Sequence, residues 1–132
     1  MTDVNDRCKI NILIVDDEDL IRKALSRCFS NKGHHVVSAE NGVIALEHLK
    51  SENIDLMILD LLMPEKNGFD VLTEMKKNIP VIVISAFSGT ATDHFSSDEY
   101  PQVVGFIKKP FEHLNTVIEH IEGLYENYIR KI

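Results

Sequence analysis

The stretch Leu56-Met57-Ile58-Leu59-Asp60 decides the fold. Four apolar residues run without a polar break and then close on a carboxylate. A run this short, with no alternation, reads as a strand covered on both faces. An acid at the end of such a run is costly to bury, so its presence calls for a chemical reason. Four more apolar runs lie to either side, at Ile10–Val15, His35–Ala39, Val81–Ile84 and Val103–Ile107. Most of their residues are β-branched, as strand interiors favour.

The segments between these runs carry helical spacing. Leu20, Ile21, Ala24, Leu25, Cys28 and Phe29 recur every three or four positions, and Gly33 follows as a stop signal. Ala45, Leu46 and Leu49 mark a second helix after an Asn41-Gly42 turn. Phe69, Leu72 and Met75 mark a third, ending before Pro80. Strand and helix thus alternate, which predicts an α/β domain with a parallel sheet and helices on both faces. The interval from Phe87 to Gln102 is rich in Ser, Thr, Asp and Gly, and supports no more than a short helix around Thr90–Phe95. In the tail, Leu114, Ile118, Ile121, Tyr125, Tyr128 and Ile132 follow an a/d heptad spacing, widened by Val117 and Leu124. Its first half is expected to pack on the sheet. Its second half suits a linker or a homodimer contact, and equally a plain amphipathic end.

Composition narrows the function. A chain of 132 residues fits one domain, and 44% hydrophobic content supports a substantial core. A net charge of -7 with no basic stripe argues against nucleic-acid binding. The two cysteines, Cys8 and Cys28, form no CxxC pair, and Cys28 is expected to be a core thiol. The polar start Met1–Arg7 lacks the apolar run of a signal peptide, and no stretch reaches the ~20 apolar residues of a membrane span. A cytoplasmic protein without membrane contact is expected.

In open parallel sheets, chemistry collects at the carboxyl ends of the strands. Those ends carry Asp16 and Asp17, then Asp60, then Ser85 and Ala86, then Lys109 and Pro110. Crowded carboxylates repel one another and need a cation, and a set of oxygen ligands suits Mg²⁺, with Mn²⁺ as a substitute. With its charge neutralised, Asp60 can attack phosphorus. Lys109 and the Ser85 hydroxyl would meet phosphoryl oxygens, and Ala86 is small enough for its backbone N–H to approach. Singly, each residue has an ordinary alternative: Asp16-Asp17 as a helix N-cap, Ser85 as a turn residue, Lys109 as a solvated charge. Together, in this order, they point to one site.

These residues resemble the response regulator receiver domain family of two-component signalling. The resemblance rests on Ile12-Leu13-Ile14-Val15-Asp16-Asp17-Glu18, Ala39-Glu40-Asn41-Gly42, Asp60-Leu61-Leu62-Met63-Pro64-Glu65-Lys66-Asn67-Gly68, Pro80-Val81-Ile82-Val83-Ile84-Ser85-Ala86 and Lys109-Pro110-Phe111. It implies a flavodoxin-like (βα)5 three-layer sandwich with strand order 2-1-3-4-5. It also implies an extension at residues 1–8, a receiver at 9–123, and a helical extension at 124–132.

The family's chemistry would make Asp60 the phosphoacceptor, with a histidine kinase or histidine phosphotransfer protein as donor. Asp17, Asp60 and the Leu62 carbonyl would bind Mg²⁺ directly, and Asp16 through water. Lys109 rather than Lys108 matches the family lysine, and its bond to Pro110 would be cis. Ser85 and Phe106 would form the switch, although Phe106 is as readily a core aromatic. Leu62 and Phe87 occupy positions that govern water access in the family, and their bulk implies slow hydrolysis of the phosphoryl group. The role is signalling rather than enzymatic turnover.

Three other readings compete. An aspartyl-phosphate phosphatase would place a second acid where Leu62 stands. A nucleotide- or flavin-binding module would want a glycine-rich loop after the first strand, where Asp16-Asp17-Glu18 repels phosphate. A degenerate receiver used only for contacts would not need the full set of acids, hydroxyl and lysine.

Overall fold

The computed structural model describes residues 9–86 and 99–132. Five parallel strands form one sheet in the order β2-β1-β3-β4-β5. They are β1 (Asn11–Val15), β2 (His35–Ala39), β3 (Leu56–Asp60), β4 (Val81–Ser85) and β5 (Val103–Lys108). Four helices accompany them among the described residues: α1 (Asp19–Asn31), α2 (Gly42–Ser51), α3 (Gly68–Glu74) and α4 (Leu114–Lys131). The helix expected around Thr90–Phe95 lies outside the described residues.

Strand periodicity explains why the apolar runs are continuous. Successive side chains point to opposite faces, and here both faces meet helices. Leu13, Val15, Met57, Leu59, Val81 and Val83 pack with Ala45 and Leu49 of α2 and Val71 and Leu72 of α3. Their neighbours Ile12, Ile14, Leu56, Ile58, Ile82 and Ile84 pack on the other face with Leu25 and Phe29 of α1 and Ile118 and Ile121 of α4. Each fully buried aliphatic side chain contributes about 1.5–3 kcal/mol, so the central strands can hold charged groups at their ends. The edge strands β2 and β5 are only partly buried.

Local chemistry sets the element boundaries. Gly33 ends α1 with φ +95, and its N–H donates to the Ser30 carbonyl at 2.9 Å. Asn41-Gly42 forms a helix cap rather than a free-standing turn, because the Asn41 side chain accepts from the Ile44 N–H. Asn67 and Asp70 form a capping box at the start of α3. That helix stops at Glu74, earlier than the spacing predicts. Met75 is already extended at ψ 137, yet its side chain still packs on the core, so its apolar character tracks burial and not helicity. Cys28 is half-buried at the edge of the α1 packing face rather than a core thiol.

The tail is one continuous helix. Leu124 and Tyr125 pack against the sheet-facing core, whereas Ile129 and Ile132 are exposed. Gly105 gives α4 a close seat on β5: an added Cβ would lie 2.5 Å from Leu124 Cδ1, the free end of that side chain.

Candidate functional site at the carboxyl ends of the strands

The strand order brings the carboxyl end of β3 between those of β1 and β4. Asp16 follows β1 and extends its ladder by one bond, its N–H donating to the Ala39 carbonyl at 3.1 Å. Its side chain is fully buried, whereas that of Asp17 is exposed. Asp60 closes β3 and is 3% exposed. Ser85 closes β4, is buried, and lies one position beyond Ile84, the residue paired with Asp60. Lys109 follows β5, and its N–H donates to the Ser85 carbonyl at 2.8 Å. The Lys109–Pro110 bond is cis. Lys108 is exposed, so Lys109 is the lysine that enters the cluster.

The loop after β3 holds Asp60 in place by folding back on itself. The Gly68 N–H donates to the Leu61 carbonyl at 3.0 Å. A Cβ at Gly68 would lie 2.5 Å from the Asp60 carbonyl oxygen and 2.7 Å from Leu61 Cα, both backbone atoms that cannot step aside. The loop also anchors α2, since the Gly42 N–H donates to the Lys66 carbonyl at 3.1 Å.

Asp16, Asp17 and Asp60 each present a carboxylate oxygen within 4.8 Å of the others. Lys109 Nζ stands among the acids, 2.7 Å from Asp16 Oδ2, 2.8 Å from Glu18 Oε2 and 3.4 Å from Asp60 Oδ2. Asp16 Oδ1 accepts from the Glu18 N–H at 2.8 Å, and Asp60 Oδ1 accepts from the Leu62 N–H at 3.3 Å. Arg22 donates to the Asp16 carbonyl at 2.6 Å, fixing the turn into α1. The bland reading of Asp16-Asp17 as an N-cap does not hold, because the residue capping α1 is Glu18, without a side-chain capping bond.

One ammonium does not neutralise this group of acids. Burial, reinforced by the charge of Asp16 and opposed by Lys109, raises the Asp60 carboxyl to about 6. Burial also raises Asp16, again opposed by Lys109. Burial alone would lower Lys109, but Asp16, Glu18 and Asp60 overcome it and hold the lysine above its usual range. Asp16 Oδ2 is buried with its charge facing Lys109 but with no well-formed hydrogen bond. An under-compensated set of hard oxygen donors fits a small divalent cation such as Mg²⁺.

The remaining expected residues fall around this centre. Leu62 is 50% exposed at the mouth, and Ala86 is exposed just past β4. Phe106 is half-buried in β5, opposite Val83, and packs on the core face shared by α2 and α3. Phe87 lies outside the described residues. The sequence reading missed the part played by Glu18. Its signal was the third acid in Asp16-Asp17-Glu18, which continues the acidic run toward Lys109. Among the described residues, no helix is long and apolar enough to cross a membrane.

Comparison with known proteins agrees with this geometry. The family model of the response regulator receiver domain matches residues 12–122. Response regulator RR06 of Streptococcus pneumoniae is 39% identical over 121 residues, covering 90% of this chain and 54% of its own length. The response regulator receiver protein CpdR of Brucella abortus is 30% identical, covering 86% of this chain and 94% of its own. The chain thus spans about half of RR06 and nearly all of CpdR. Among solved structures, the response regulator protein TrrA of Thermotoga maritima, in complex with Mg(2+)-BeF, superposes with a TM-score of 0.71 at 34% identity, covering 87% of this chain and 98% of that one. With its sheet order, its acidic pocket and these matches, the chain belongs to the response regulator receiver domain family and is a phosphoacceptor signalling module of the two-component type.

Proposed function

We propose that Asp60 is the phosphoacceptor of this receiver and that its reaction requires Mg²⁺. The observation that carries this reading is the buried Asp60 carboxylate, 3.4 Å from the Lys109 ammonium, within an acid cluster that one lysine does not neutralise. Asp16, Asp17 and Asp60, with the Leu62 backbone carbonyl, would hold the cation. When bound, Mg²⁺ supplies positive charge to the carboxylates and to the incoming phosphoryl oxygens.

The donor is the phosphohistidine of a histidine kinase or phosphotransfer protein. An Asp60 oxygen forms a new P–O bond as the donor P–N bond breaks. The imidazole nitrogen leaves with the electron pair and takes a proton from solvent. Lys109 and the Ser85 hydroxyl meet the phosphoryl oxygens, together with the Ala86 N–H. The new charge then draws Ser85 toward it, and Phe106 repacks in response, a two-state change read by a partner or an output domain. Homodimerisation through the exposed end of α4 and a cytoplasmic setting belong to the same reading.

Incubation with acetyl phosphate and Mg²⁺ should add one phosphoryl group by intact-mass measurement. Asp60→Asn should gain none, and omission of Mg²⁺ should suppress the gain. A Mg²⁺-independent adduct, or one that persists in Asp60→Asn, would remove the basis of the proposal. Leu62 at the mouth would slow hydrolysis by excluding water. Leu62→Asn is therefore expected to release phosphate several-fold faster, and an unchanged or slower rate would count against that role.

A further inference from the structure

Glu18 reaches across the site mouth to Lys109. Its Oε2 lies 2.8 Å from Nζ, closer than the 3.4 Å that separates Nζ from Asp60. The ammonium has three carboxylate neighbours, and the two nearest are Asp16 and Glu18. The Lys109 side chain is 11% exposed, while that of Glu18 is 58% exposed, so the contact sits at the rim. Glu18 also begins α1, and its carbonyl accepts from the Arg22 N–H at 3.1 Å. The ion pair therefore ties the segment after β5 to the start of α1.

We propose that Glu18 is a positioning residue that holds Lys109 away from Asp60 until a phosphoryl group displaces it. The inference rests on the phosphoacceptor reading above. Asp16 and Glu18 take the two short contacts of the ammonium, at 2.7 and 2.8 Å, and leave Asp60 the long one at 3.4 Å. A phosphoryl group on Asp60 brings stronger acceptors to the Asp60 side, and Lys109 turns toward them and releases Glu18. Breaking the Glu18 contact opposes capture of the phosphoryl group. Because the pair is exposed at one end, the opposition is small, roughly three- to five-fold in affinity.

Two variants separate the contact from the charge. Glu18→Gln keeps the length and removes the charge. Glu18→Asp keeps the charge but is about 1.5 Å shorter, so it cannot span the gap to Nζ. Glu18 makes no side-chain capping bond, so Glu18→Gln removes none. An aspartate at this N-cap favours the helix start and draws its carboxylate from Nζ toward the first-turn N–H groups. Beryllofluoride, a phosphoryl mimic, is titrated into each protein at saturating Mg²⁺. The expected result is three- to five-fold tighter binding in both variants than in the unmutated chain. A selectively labelled Lys109 ammonium should shift in the cation-free variants, then coincide in all three proteins once beryllofluoride is bound.

If Glu18→Asp binds like the unmutated chain while Glu18→Gln binds tighter, charge alone acts and the positioning role is overturned. Equal or weaker binding in both variants overturns it as well. Failure of the unmutated chain to bind beryllofluoride with Mg²⁺ would instead bring down the phosphoacceptor reading, and this inference with it.

Discussion

At the carboxyl end of the sheet, one ammonium faces a group of carboxylates. At the amino end, beneath α4, one carboxylate faces two partners. Glu122 Oε1 pairs with Lys32 Nζ at 2.8 Å, and its Oε2 lies 3.0 Å from His34 Nε2. His34 Nδ1 accepts from the Ile10 N–H at 3.2 Å, which leaves Nε2 to carry the proton and donate to Glu122. Both clusters tie the last part of the chain to the sheet, and both contain buried polar groups. Their electrostatics run in opposite directions. Burial and Asp16 raise Asp60, whereas Glu122 is lowered, because His34 and Lys32 overcome the burial that works against its charge. A cluster whose charges are matched is a structural pin. A cluster with carboxylates in surplus is built for something that arrives, and the surplus distinguishes the site.

The largest expected effect comes from removing that surplus. The folded Asp60 carboxyl is raised from 3.8 to about 6, so ionising it destabilises the cation-free fold progressively as pH rises through that window. The full penalty above pH 6 is about 3 kcal/mol. Asp60→Asn should therefore raise stability by about 2–3 kcal/mol in urea unfolding at pH 7.5 without divalent ions. Near pH 4 the gain should disappear. A loss of stability at pH 7.5 would show that the cluster is already balanced.

Supplying a cation should relieve the same strain. At 100 times its dissociation constant, Mg²⁺ should stabilise the chain by about 2.7 kcal/mol. Most of this increment should vanish in Asp60→Asn, and an equal increment there would place the ion elsewhere. The matched cluster should behave in the opposite sense. Glu122→Gln should cost about 1–2 kcal/mol at neutral pH, since it weakens the pair with buried His34 and with Lys32. The folded Glu122 carboxyl is lowered, so its stabilisation is present above the unfolded value and is lost as pH falls through the folded one. The two stability curves should converge in acid; a gap that widens there would contradict the pin. Gly105→Ala has the smallest expected effect, a loss of about 1 kcal/mol, because the mobile end of Leu124 can shift from the new Cβ. No loss would mean that α4 seats loosely on β5.

Much of the fold was legible because β1, β3 and β4 are covered on both sides, which writes them into the sequence as unbroken apolar runs. Strand ends were less so. Asp60, Ser85 and Lys108 belong to strands, since the backbone ladder continues whatever the side chain. The candidate site could be assembled from its position at those ends. Which acid is buried and which groups pair across the chain had no sequence signal. Adjacent Asp16 and Asp17 look equivalent, yet the geometry past β1 buries one and exposes the other. Glu18 and Lys109 stand 91 positions apart, and no spacing rule relates them. The Glu122–His34 pin is hidden for the same reason, its partners being separated by 88 positions.

Borohydride trapping tests the central claim most directly. A phosphorylated aspartate reduced in this way becomes homoserine, which peptide mass spectrometry locates. After treatment with acetyl phosphate and Mg²⁺, the account predicts homoserine at position 60 alone, and none when Mg²⁺ is withheld. Homoserine at position 16 or 17, or its formation without a divalent ion, would contradict it.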